Sequence, residues 1–296
     1  MKTMETRFEI SREIRLEQGF DLYILRNGRV EVAVVPELGA KVISMKNLRT
    51  GREWMWHPAG GLKLYRNGVA DDFSTSPLAG LDECLPTIGA CSWQERKLAD
   101  HGEVWSQAWC VDQAAWELGV LKTSIRLDIS PFDFQRTIAL HEDKIQFSYR
   151  LNSRSEAEEL FLWAMHPLLK LRAGDRLVLP PSTRALLDGQ AWVDAVDSCV
   201  PQGRCSKIYG GPLTVGFAGI HNPKTADQLD FEWNPSENNT LGLWLNCGGW
   251  HGHSHFAIEP TNSADDRLDY ASTRKRCGRL AAAGTVTWQV GLRLAP

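Results

Sequence analysis

Hydrophobic and polar positions alternate along much of this chain with a period of two, the spacing of strands that bury one face. Near the start, Leu22-Tyr23-Ile24-Leu25 and the run Val30 to Val35 flank Asn27-Gly28. Asn-Gly between two β-rich runs predicts a hairpin, because both central turn residues take positive φ. Lys41 to Met45 and Glu53 to His57 extend this into a meander. Farther on, Ile125, Leu127 and Ile129 alternate with polar residues, as do Phe134, Ile138 and Leu140. Ile145, Phe147, Tyr149 and Leu151 follow the turn His141-Glu142-Asp143. Leu160 to Leu171, Thr214 to Ile220, Leu229 to Trp233 and Leu241 to Cys247 also read as strands. The clearest strand is the last, where Val286, Trp288, Val290, Leu292 and Leu294 share a face. A short helix is expected between Arg267 and Arg279. The pattern lapses from 60 to 100 and from 182 to 211. Loops of that length inside a compact domain are usually functional when ordered. Many short strands with turn signals imply an all-β sandwich or barrel, large and two-sheeted at this length. The whole chain, 1–296, reads as one domain, with residues 1–18 as an N-terminal extension or edge segment.

The stretch from Trp250 to Asp269, WHGHSHFAIEPTNSADDRLD, concentrates candidate chemistry. In an extended strand His251, His253, His255, Ala257 and Glu259 share one face, and Phe256 and Ile258 the other. Pro260 has no N–H to donate and is expected to end the pairing. That puts Glu259 at a strand end beside histidines, a fitting place for proton transfer. The plainer alternative is a strand-end acid in solvent. The histidine row also suggests a metal, since imidazole is a common zinc or nickel ligand. Alternate strand residues lie roughly 6–7 Å apart, and no nearby Cys or acid completes a tetrahedral set. The row is therefore read as lining a cleft or facing solvent, with no metal. Two further segments place titratable groups beside Gly or Pro: Gly80-Leu81-Asp82-Glu83-Cys84-Leu85-Pro86 followed by Asp100-His101-Gly102, and Trp163-Ala164-Met165-His166-Pro167.

Composition narrows the classes. Charged residues are 23% and the net charge is −3, which points to neither nucleic acid nor an anionic membrane. No apolar run approaches the ~20 residues of a membrane helix. The N-terminal MKTMETRFEISREIRLEQ lacks an apolar signal-peptide core. Seven irregularly spaced cysteines without a C-x-x-C pair read as reduced thiols of a cytosolic protein. The 12 Trp residues suit cores, and a flat indole also suits the apolar face of a sugar ring.

Taken in order, Gly80…Cys84…Pro86…Gly89, then His101-Gly102…Trp109, then His166-Pro167, then Ile258-Glu259-Pro260 resemble the galactose mutarotase (aldose 1-epimerase) superfamily, over roughly residues 20 to 294. The resemblance implies a β-supersandwich of two large twisted antiparallel sheets with an open sugar cleft. It also implies roles: Glu259 as the base that takes the anomeric hydroxyl proton, His166 as the acid that protonates the ring oxygen, and His101 as a sugar ligand. It implies no cofactor, and a small-molecule sugar as partner for a monomer or homodimer. Paired acid–base help of this kind is worth roughly 10²–10⁴-fold per positioned group.

The chain departs from the superfamily in places. Trp105 stands where the hexose-6-phosphate branch carries Arg, and phosphate recognition favours Arg. The Asn-Arg pair of galactose mutarotases has no match between Gly60 and Ala90, which leaves Asp82 or Glu83 to accept hydrogen bonds from sugar hydroxyls. Trp105 and His255 complete the expected binding set. Two rival readings stand beside the isomerase: a non-catalytic sugar-binding protein of the same fold, and a lyase or hydrolase on a related sandwich.

Overall fold

The computed structural model describes residues 9–187 and 203–296. Two large antiparallel sheets hold nearly all the strands. The first has ten strands. In spatial order its main path runs Ser11–Glu17, Phe20–Arg26, Val30–Val35, Lys41–Asn47, Leu81–Cys84, Ala164–Pro167, Ser254–Thr261, Thr240–Cys247 and Arg204–Gly210. The second has eight, with Thr285–Ala295 and Lys144–Ser153 at its centre. One core, built from both sheets, fills the space between them: Val32, Leu81, Met165 and Ile258 from the first meet Phe134, Phe147, Leu292 and others from the second. The all-β, two-sheeted expectation is met.

Local sequence explains most of these elements. The Asn27-Gly28 hairpin forms, with Gly28 at φ +80° and Asn27 Oδ1 accepting from the backbone of Arg29 and Val30. Ser11–Glu17 is the edge strand of the first sheet, so the N-terminal segment from residue 9 onward is an edge element. The late helix spans Leu268–Thr273.

Three expectations are corrected. The supposed loop from 60 to 100 contains Leu81–Cys84, a central strand of the first sheet. Its residues are buried on both faces although two are acids, and a charged, doubly buried strand gives no alternation to read. Likewise Arg204–Gly210, taken as loop, is the strand at the far edge of that sheet. Cys247 is disulfide-bonded, whereas Cys84, Cys91, Cys110, Cys205 and Cys277 are free. The reduced-thiol reading therefore fails at Cys247, and Cys199 lies outside the described residues. Among those residues no helix is long and apolar enough to cross a membrane.

A buried polar knot ties the sheets together. Glu83 Oε1 accepts from Arg136 at 3.1 Å and from Tyr149 Oη at 2.9 Å, while Oε2 accepts from Trp163 Nε1 at 2.9 Å. Glu83 and Arg136 are fully buried.

Candidate active site

Neighbouring strands of the first sheet set the floor of a cleft. In the pairing Ala164–Pro167 with Leu81–Cys84, His166 registers opposite Asp82. The strand Ser254–Thr261 flanks Ala164–Pro167 on its other side and carries Glu259. His166 Nε2 and Glu259 Oε1 are 3.6 Å apart. Glu259 is fully buried. Its other oxygen is ion-paired with Lys207 Nζ at 3.0 Å. Lys207 also reaches Asp266 Oδ1 at 3.0 Å, and that same oxygen accepts from Tyr209 Oη. Gly242 registers opposite Glu259, and a Cβ there would stand 3.1 Å from Oε2, so the glycine leaves the carboxylate its room.

Above this floor the cleft encloses about 360 Å³, within the size range of small-molecule sites. Phe73, from a short 3-10 turn, stacks on His101 with centroids 3.7 Å apart, and its edge meets His166. Asp72 caps that turn by accepting from Ser74 N. His101 itself has φ +60° and precedes Gly102 at φ +76°, where any Cβ would collide with Leu85 O. A residue without a side chain is therefore required at 102, and this fixes where His101 enters the cleft. Trp244, Trp250, His251 and His255 also line the cleft.

The electrostatics favour proton exchange. Burial raises the Glu259 pKa, and Lys207 works against that rise. Burial lowers the His166 pKa well below its usual 6.5, with His101, Lys207, His255 and Lys41 adding to the effect. Both groups are thus pushed toward their neutral forms by desolvation. At Lys207, burial opposes the charge, but Glu259, Tyr209 and Asp266 outweigh it and hold the ammonium form.

No protein-family model and no curated protein matches the sequence. Solved structures do match. A galactose mutarotase-like protein from Clostridium acetobutylicum superposes with a TM-score of 0.71 at 15% identity, covering 98% of this chain and 99% of the other. A candidate aldose 1-epimerase from Klebsiella pneumoniae gives 0.74 at 12% identity, covering 96% and 83%. A galactose mutarotase related enzyme from Lactobacillus acidophilus gives 0.67 at 14%, covering 93% and 97%. This chain has the galactose mutarotase-like fold.

Within that mutarotase-like frame, the expected residues separate into two groups. His101, His166 and His255 line the cleft, and Glu259 lies directly beneath it against His166. Trp105 stands behind the wall, its edge on Phe73 and its Nε1 bonded to Asp100 O. Asp82 is buried and ion-paired with Lys41. Glu83 does not line the cleft: consecutive strand residues point to opposite faces, and Glu83 points into the inter-sheet knot.

The histidine row is also corrected. Only His255 lies on the strand; His251 and His253 precede it in a turn, with His251 at φ +50°. His251 and His255 line the cleft, and His253 and His255 pack on Trp56. Among the described residues no group of three or more His, Cys, Asp or Glu is placed to hold a metal ion. Pro260 does not end the strand; it registers opposite Leu241, and pairing continues to Thr261. Toward Ala164–Pro167 the strand pairs only at Thr261, so a residue without an N–H fits there. The sequence reading missed Lys207, Asp266, Tyr209 and Phe73. Lys207 and Tyr209 do alternate on Arg204–Gly210, which is the one signal that could have found them.

Proposed function

We propose that the chain is an aldose 1-epimerase-like isomerase that interconverts the anomers of a free sugar without a cofactor. The observation that supports this most is the contact of His166 Nε2 with Glu259 Oε1 at 3.6 Å beneath a sugar-sized cleft. Opening a hemiacetal removes a proton from O1 and delivers one to the ring oxygen. Both oxygens are bonded to the same carbon, so the base and acid that serve them must sit side by side. A pair facing each other across a whole pyranose would be too far apart.

Glu259 takes the O1 proton as C1–O5 breaks, and His166 gives its Nε2 proton to O5. Rotation about C1–C2 and the reverse transfers yield the other anomer. This needs one proton on the pair, with the carboxylate ionised. Lys207 at 3.0 Å favours that ionised form, and a carboxylate 3.6 Å from the imidazole pulls against the burial that lowers the His166 pKa. His101, stacked on Phe73, supplies a side-chain donor or acceptor to a ring hydroxyl.

Magnetisation-transfer NMR of neutral aldoses tests the reading. At least one sugar is expected to exchange its anomers faster than the spontaneous rate when the protein is added. Broadened sugar signals with no faster exchange for any sugar would favour a binding protein instead.

A further inference from the structure

The cleft's fixed charges carry a conclusion about the sugar, which rests on the reading above. Asp72, Asp100 and Asp266 line the cleft, and the sole cationic side chain among its described lining residues, Lys207, already pairs with Glu259 and Asp266. No arginine belongs to that described lining. The carboxylates are only partly engaged. Asp266 uses Oδ1 for both Lys207 and Tyr209, and its side chain is 45% exposed. Asp100 Oδ2 lies 3.2 Å from His101 Nδ1, with its side chain 37% exposed. Unengaged carboxylate oxygens accept from hydroxyl or ammonium groups and repel anions.

We infer that the cleft is built for a neutral or amino sugar and rejects phosphorylated and carboxylated sugars, with Asp266 and Asp100 as the residues that discriminate. Asp266 accepts from a sugar O–H or N–H through Oδ2 while Lys207 and Tyr209 fix its other oxygen. A sugar phosphate would meet three carboxylates in the cleft and no unpaired cation among its described lining residues. Like charges set together in this way disfavour binding, and salt screens the effect.

Glucose, glucosamine, glucuronate and glucose 6-phosphate separate the possibilities when each is measured for anomer exchange and, with Glu259→Gln protein, for binding by NMR titration. Glucose and glucosamine are expected to lead. Glucose 6-phosphate should fall behind by on the order of 10²-fold in kcat/KM at low salt, with the gap narrowing as salt rises. Asp266→Asn and Asp100→Asn should each narrow it too. Equal or better handling of the phosphate or the uronate, in exchange or in binding, overturns the inference and leaves the isomerase reading intact. If no sugar exchanges, the isomerase reading fails, and the order of affinities still decides the charge selection.

Discussion

Replacing Glu259 by Gln is expected to lower the enzyme-driven rate of anomer exchange by roughly 10²–10⁴-fold, the usual worth of one positioned acid–base group. The amide keeps the shape of the carboxylate and its place beside His166, yet it cannot take a proton from O1. The loss should therefore fall on kcat, with KM changed little. The pH profile carries a second signature. The base works when ionised, so the rate should fall as pH drops through the Glu259 pKa, which burial raises above 4.5. Lys207 opposes that rise. In Lys207→Met the acid limb should therefore move to higher pH, and in Lys207→Arg it should stay closer to the native position. A Lys207→Met profile that overlays the native one would separate Lys207 from the chemistry.

Arg136→Met is expected to give the largest loss of stability, about 3–5 kcal/mol, because it leaves the buried Glu83 carboxylate without its cation. Tyr149 and Trp163 keep their hydrogen bonds to Glu83, and hydrogen bonds alone do not neutralise a charge held between two sheets. Burial raises the Glu83 pKa from 4.5 to about 7, against the pull of Arg136. A carboxyl raised in the folded state contributes stability below the unfolded value of 4.5 and loses it as pH rises through about 7. The Arg136→Met deficit should thus be larger at pH 8 than at pH 5. Adding Glu83→Gln to Arg136→Met should recover part of it. Denaturant unfolding at the two pH values measures both effects.

The contrast between Glu83 and Glu259 shows where sequence reading succeeds here and where it stops. Alternation and Asn-Gly reveal the sheets because half-buried antiparallel strands repeat every second residue. That pattern is silent for Leu81–Cys84, whose acids are paired inside the protein. It also could not choose between Asp82 and Glu83, since one residue of register sends a side chain to the opposite face. The order His101, His166, Glu259 was legible because it is a sequence of landmarks. Lys207 was not: its partners are 52 and 59 positions away by number, and only the edge pairing of Arg204–Gly210 with Thr240–Cys247 brings it over Glu259. Phe73 sits on a three-residue turn in a stretch without periodicity, so its stacking on His101 had no sequence signal.

The central claim is that His166 and Glu259 act as one unit on a single sugar carbon. Anomer exchange by magnetisation transfer, measured for His166→Asn, Glu259→Gln and the double variant with whichever sugar the native protein turns over fastest, tests it most directly. Groups that act together are strongly non-additive, so the double variant should be about as slow as the slower single variant. Losses that multiply, or a single variant that exchanges at the native rate, would contradict it.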